Sequence, residues 1–238
     1  ILSLGNASIS GPVHINIPLS EPLFSFNTKQ LPQVRVIRRP EKEHHLPRET
    51  EGKYLSRFTG YSRKMIIVGQ LPPGHGLTQP LQRLAEEQGV VLLADRLSNI
   101  PDGQMDRYDV LLRTTDADKL RDLTPELVIT LGGHLTSKRL KQFIRKAEIR
   151  ELWHITLSEE VNDTFQQLTD IIRCNPATFL ERLAALPAEK TGNRFRKAWL
   201  KAAAAITPPE TTFSDLYVTG SFLQQLPGGA TLHLANSH

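Results

Sequence analysis

Five short apolar runs separated by amphipathic stretches set the tightest limit on how this chain folds. Met65-Ile66-Ile67-Val68-Gly69, Val90-Val91-Leu92-Leu93-Ala94-Asp95 and Leu127-Val128-Ile129-Thr130-Leu131-Gly132-Gly133 are nearly continuous rather than alternating. A strand of that kind is buried on both faces, as in a parallel sheet. Leu152-Trp153-His154-Ile155-Thr156 and Asp170-Ile171-Ile172-Arg173-Cys174 read as two more strands. Between them, helical spacing runs from Pro80 to Gly89, over Tyr108 to Arg113, from about Ser137 to Lys146 and from Pro176 to Leu186. Alternating strands and helices predict an α/β fold, a Rossmann-like open and mostly parallel sheet with helices on both faces. Its core domain is placed at residues 63–187.

The flanks read differently. Gly11-Pro12-Val13-His14-Ile15-Asn16-Ile17-Pro18 has the period of a short strand bounded by prolines, within an N-terminal piece of residues 1–27. Residues 28–62 are rich in Pro, Arg, Glu and Lys with no period, and are read as a linker. After residue 187, a helix from Arg194 to Ile206, a Pro208-Pro209 break and a helix from Phe213 to Leu226 lead to a final strand, Thr231 to Ala235. These elements fall outside the sheet pattern, and residues 188–238 are assigned to a linker and the start of another domain.

Composition excludes several classes. Of 238 residues, 39% are hydrophobic and 23% charged, which separates the chain from disordered and low-complexity sequences. One cysteine, Cys174, rules out an internal disulfide framework and a Cys-rich zinc site. The net charge of +4 is small and its cations are scattered without stacking aromatics, so nucleic acid is not an expected partner. No apolar run approaches the roughly 20 residues of a membrane span, and a cytoplasmic location is expected. Because the chain starts at Ile1 and stops at His238, just past a strand, it is read as an internal piece of a longer polypeptide.

Two loops invite a functional reading. Gly69-Gln70-Leu71-Pro72-Pro73-Gly74-His75-Gly76 follows the first strand, where a dinucleotide fingerprint belongs, and Asp95 ends the second strand, where a ribose-binding acid belongs. The spacing departs from Gly-x-Gly-x-x-Gly, and two prolines remove amide donors. A stand-alone NAD- or FAD-binding domain is therefore the alternative reading. The second loop, Gly132-Gly133-His134-Leu135-Thr136-Ser137-Lys138-Arg139, offers a capping hydroxyl and places two cations in a first helical turn. Cations there oppose the helix dipole, so an anion in the vicinity is implied. Arg139 can grip a carboxylate with its planar fork while Lys138 adds a point charge; the alternative is a pair of solvated surface cations. Asn236 and Ser237, directly after the last strand, suit either a ligand contact or a helix cap.

Three segments carry a family resemblance. Gly11 to Pro18 followed by Glu21-Pro22-Leu23 resembles the end of the pyrimidine-binding domain of thiamine-diphosphate enzymes. Leu131-Gly132-Gly133-His134-Leu135-Thr136-Ser137-Lys138-Arg139-Leu140 and Leu232-His233-Leu234-Ala235-Asn236-Ser237 resemble the menaquinone-pathway branch, the 2-succinyl-5-enolpyruvyl-6-hydroxy-3-cyclohexene-1-carboxylate synthases.

The resemblance implies a central domain between a pyrimidine-binding and a pyrophosphate-binding domain, in a transferase that condenses isochorismate with 2-oxoglutarate and releases carbon dioxide. It implies thiamine diphosphate and Mg2+ as cofactors of the complete enzyme, and a homodimer or homotetramer. By the same resemblance, Arg139 contacts a substrate carboxylate with Lys138 beside it, and Asn236 and Ser237 line the substrate pocket. The glutamate that activates the cofactor and the Gly-Asp-Gly motif that binds metal and pyrophosphate are not in this sequence. No catalytic, cofactor-binding or metal-binding residue is therefore assigned, no cofactor is expected to bind this piece alone, and the piece alone is expected to be inactive.

Overall fold

The computed structural model describes residue 16 and residues 45–101, 105, 107–158, 161–187, 193–206 and 212–233. Its elements are α1 (Arg48–Thr59), β1 (Lys64–Val68), α2 (Thr78–Glu87), β2 (Val91–Ala94), α3 (Tyr108–Thr114), α4 (Ala117–Asp122), β3 (Leu127–Leu131), α5 (Lys138–Lys146), β4 (Glu151–Thr156), β5 (Asp170–Arg173), α6 (Pro176–Ala184), α7 (Arg194–Ala204) and α8 (Asp215–Gln224). The strands form one sheet in the order β2-β1-β3-β4-β5, and every pairing is parallel.

Two cores explain the continuous apolar runs. Ile66 and Val68 of β1 face a core built with α1, α2 and α6, whereas Met65 and Ile67 face one built with α3, α5 and α7. Every position of β1 and β3 is buried. Burying a Val, Leu or Ile side chain stabilises by about 1.5–3 kcal/mol, so a polar residue on either face of a central strand would forfeit that gain. The edge strand β5 has cover on one side only, and Ile171 is exposed while Ile172 is buried.

Several expectations are corrected. The stretch read as an aperiodic linker holds α1, whose Phe58 is fully buried, with Tyr54 and Leu55 packed beside it. Few apolar side chains dock this helix, too few to show a period. Helix α7, expected outside the sheet pattern, closes the second face: Phe195 and Trp199 are buried, and the Trp199 indole N–H donates to the Leu123 carbonyl at 3.0 Å. Helix α4 was not expected at all. Thr231 to His233 carry no strand, and the remainder of that predicted strand lies outside the described residues. The predicted strand at 11–18 also lies outside them, apart from Asn16, which has no regular structure. Helix α8 is capped by Ser214 and has no buried residue. Among the described residues, no helix is long and apolar enough to cross a membrane.

Candidate functional site

The carboxyl ends of β2 and β3 open onto a cleft of about 910 Å³, lined by Asp95, Tyr108, Asp109, His134, Lys138 and Arg139 among others. Asp95 builds one wall. Its backbone N–H continues the β1–β2 ladder by donating to Val68 at 2.9 Å, and its carboxylate accepts from the N–H of Leu97 at 3.0 Å. The other carboxylate oxygen accepts from both the N–H and the hydroxyl of Thr136, each at 2.7 Å. Burial works against this charge, but those hydrogen bonds hold the carboxyl below its ordinary range. Asp95 therefore ties the end of β2 to the loop after β3. Three protein donors already engage its oxygens, a structural use that counts against the ribose-binding role it would have in a dinucleotide site.

The Gly69 loop is engaged in the same way. The N–H groups of Gly69, Gln70 and Leu71 donate to the carbonyls of Leu131, His134 and Leu97 at 2.9, 2.9 and 3.1 Å. The Gly133 N–H answers by donating to Gln70 at 2.8 Å. A Cβ at Gly69 would collide with the Gly133 carbonyl, and one at Gly132, which sits at φ +82°, would come within 2.9 Å of the Gln70 carbonyl. The glycines thus let two backbone loops interlock where β1 and β3 diverge. The first three amides of this loop are committed to protein carbonyls and are not offered to a pyrophosphate, which counts against the alternative dinucleotide reading.

Two residues beyond Thr136, α5 begins with Lys138, Arg139 and Lys141 and no acidic residue in its first turn. The anion implied by that arrangement comes from α3. Asp109 accepts from Arg139 Nη1 at 2.5 Å and from the Ser137 hydroxyl at 2.6 Å, while Ser137 caps α5 by accepting from the Leu140 N–H at 3.0 Å. Sequence reasoning missed Asp109, since nothing local marks a residue that acts across about 30 positions of chain. Lys138 and Lys141 have no carboxylate partner among the described residues. Burial, with Asp95 and Asp109 nearby, pushes the Tyr108 phenol up to about 12 and keeps it protonated. The expected site residues Lys138 and Arg139 thus share one cleft; Asn236 and Ser237 lie outside the described residues. His134 is exposed. Such a cleft can bind an organic anion through its cations and neutral donors. Among the described residues no group of three His, Cys, Asp or Glu side chains is arranged to hold a metal ion.

The fold and this arrangement define a class. Residues 38–228 match the family described as the middle domain of thiamine pyrophosphate enzymes, and the chain belongs to that family. Its relatives include the 2-succinyl-5-enolpyruvyl-6-hydroxy-3-cyclohexene-1-carboxylate synthases of Bacteroides fragilis, 36% identical over 230 residues, and Bacteroides thetaiotaomicron, 36% identical over 229 residues. The synthase of that name from Porphyromonas gingivalis is 32% identical over 245 residues. Each match covers 95% of this chain and 41% of the relative, so the chain spans about two fifths of the length of these proteins.

Proposed function

We propose that this chain is the central part of a 2-succinyl-5-enolpyruvyl-6-hydroxy-3-cyclohexene-1-carboxylate synthase of menaquinone biosynthesis. The complete enzyme, a cytoplasmic homodimer or homotetramer, decarboxylates 2-oxoglutarate and adds the resulting succinyl-semialdehyde unit to isochorismate. Residues 1–27 and the stretch beyond α7 lead into the pyrimidine-binding and pyrophosphate-binding domains. Thiamine diphosphate and Mg2+, held by those domains, supply the electron sink for the reaction when bound.

The role of this chain is to hold substrate. Arg139 binds a substrate carboxylate through its guanidinium and Lys138 adds charge beside it, with Asn236 and Ser237 completing the pocket as hydrogen-bonding groups. The observation that carries this reading is the cleft itself: two cations, one of them held by Asp109, open the first turn of α5 in a chain whose relatives bear the synthase name. Both proposed substrates are carboxylates and need such groups. The complete protein should release carbon dioxide from 2-oxoglutarate in the presence of isochorismate, thiamine diphosphate and Mg2+. The 238-residue chain alone should give no carboligation and no heat of thiamine diphosphate binding. An inactive complete protein, or micromolar cofactor binding by the chain alone, overturns the proposal.

A further inference from the structure

We infer that Asp109 is a positioning residue for Arg139, setting the direction from which its guanidinium meets a substrate carboxylate. The inference rests on the reading of Arg139 as a substrate contact. Asp109 is the second residue of α3, where the helix dipole favours a negative charge. One of its oxygens takes the Ser137 hydroxyl and the other takes Arg139 Nη1. Because Ser137 also caps α5, a single carboxylate fixes both the start of that helix and the head of its second side chain.

The Arg139 side chain is 46% exposed, so without this tether its rotamers would be spread through solvent. The tether uses Nη1 alone. Nε and Nη2 donate to no other described residue and remain for the two oxygens of an incoming carboxylate. Asp109 also faces that anion with a negative charge of its own. Among the described residues that line the cleft the balance stays positive, with Arg96, Lys138, Arg139 and Lys141 against Asp95 and Asp109. The arrangement exchanges some attraction for a fixed geometry, and a bound substrate held in one orientation is what a bimolecular addition needs.

Steady-state kinetics of the complete synthase, with each substrate varied in turn, test this. R139A should raise KM for one substrate by about tenfold or more. D109A should raise KM for the same substrate by about threefold to tenfold with kcat within about twofold, and D109E should recover most of the loss. The double variant D109A/R139A should match R139A alone, because Asp109 has nothing left to position. D109N keeps an oxygen for Ser137 while removing the charge, and should show the same KM rise if D109A fails to fold. An effect of R139A with none from D109A and D109N, or fully additive effects, overturns the inference and leaves the reading of Arg139 standing. No effect of R139A overturns both.

Discussion

Arg57 on α1 and Asp170 at the start of β5 meet fork to fork, Nη1 to Oδ1 at 3.1 Å and Nη2 to Oδ2 at 2.9 Å. The same guanidinium reaches Glu151 Oε2 at 2.8 Å and lies 5.2 Å from the ring centres of both Tyr54 and Trp153. One side chain thereby pins α1 to the opening residues of β4 and β5, the end of the sheet opposite the cleft. Removing it with R57A leaves two partly buried carboxylates without their cation, with only the neutral donors Tyr54, Thr169 and Trp153 still bonded to them, and should cost about 2 kcal/mol of stability. Chemical denaturation checks this; a midpoint within error of the parent value would show that α1 is held by its apolar contacts, Phe58, Tyr54 and Leu55, without the ion pair.

Acid should loosen the fold in a definite window. Burial works against charge at Asp95 and at Asp170, yet hydrogen bonds from Thr136 and Leu97 at the first and from Arg57, Thr169 and Tyr54 at the second bring both carboxyls below the ordinary 3.8. A carboxyl depressed in the folded state contributes stability that is present above its unfolded value and lost as pH falls through its folded value. Urea midpoints should hold steady down to about pH 4 and drop below it. The D95N/D170N variant should start lower and show a shallower drop. Parallel curves would mean that other groups govern acid sensitivity.

Two glycines should respond to alanine differently. At Gly74, φ is +70° and no atom lies within 4 Å of an added Cβ, so G74A bears only the left-handed strain, about 1 kcal/mol, or about 2–4 °C in Tm. At Gly69 the added Cβ meets the Gly133 backbone, which cannot swing aside as a side chain would. G69A should cost clearly more, about 2–3 kcal/mol. Equal melting shifts would contradict the interlocked loops.

Burial pushes the Cys174 thiol up to about 12, with Glu51 adding to the effect. The native chain should therefore resist a thiol-specific disulfide reagent at pH 8 and react fully once unfolded in denaturant. Rapid native labelling would place this end of β5 outside the core.

The amino-acid sequence by itself determined the sheet. Met65 to Val68 and Leu127 to Leu131 are apolar at nearly every position, and only a strand covered on both faces has a use for that pattern. It also showed that Lys138 and Arg139 crowd a helix start and call for an anion. Tertiary structure decided where that anion comes from, because Asp109 reaches Arg139 only after β3 has been laid beside β1 and α3 beside α5. Helix α1 was hidden for the same reason. Its hold on the domain lies in the burial of Phe58 and in the fork of Arg57 on Asp170, the latter joining segments about a hundred residues apart, and such contacts leave no local period. Periodicity records which faces are buried; it holds no record of which distant charge meets which, and the cleft is built from such meetings.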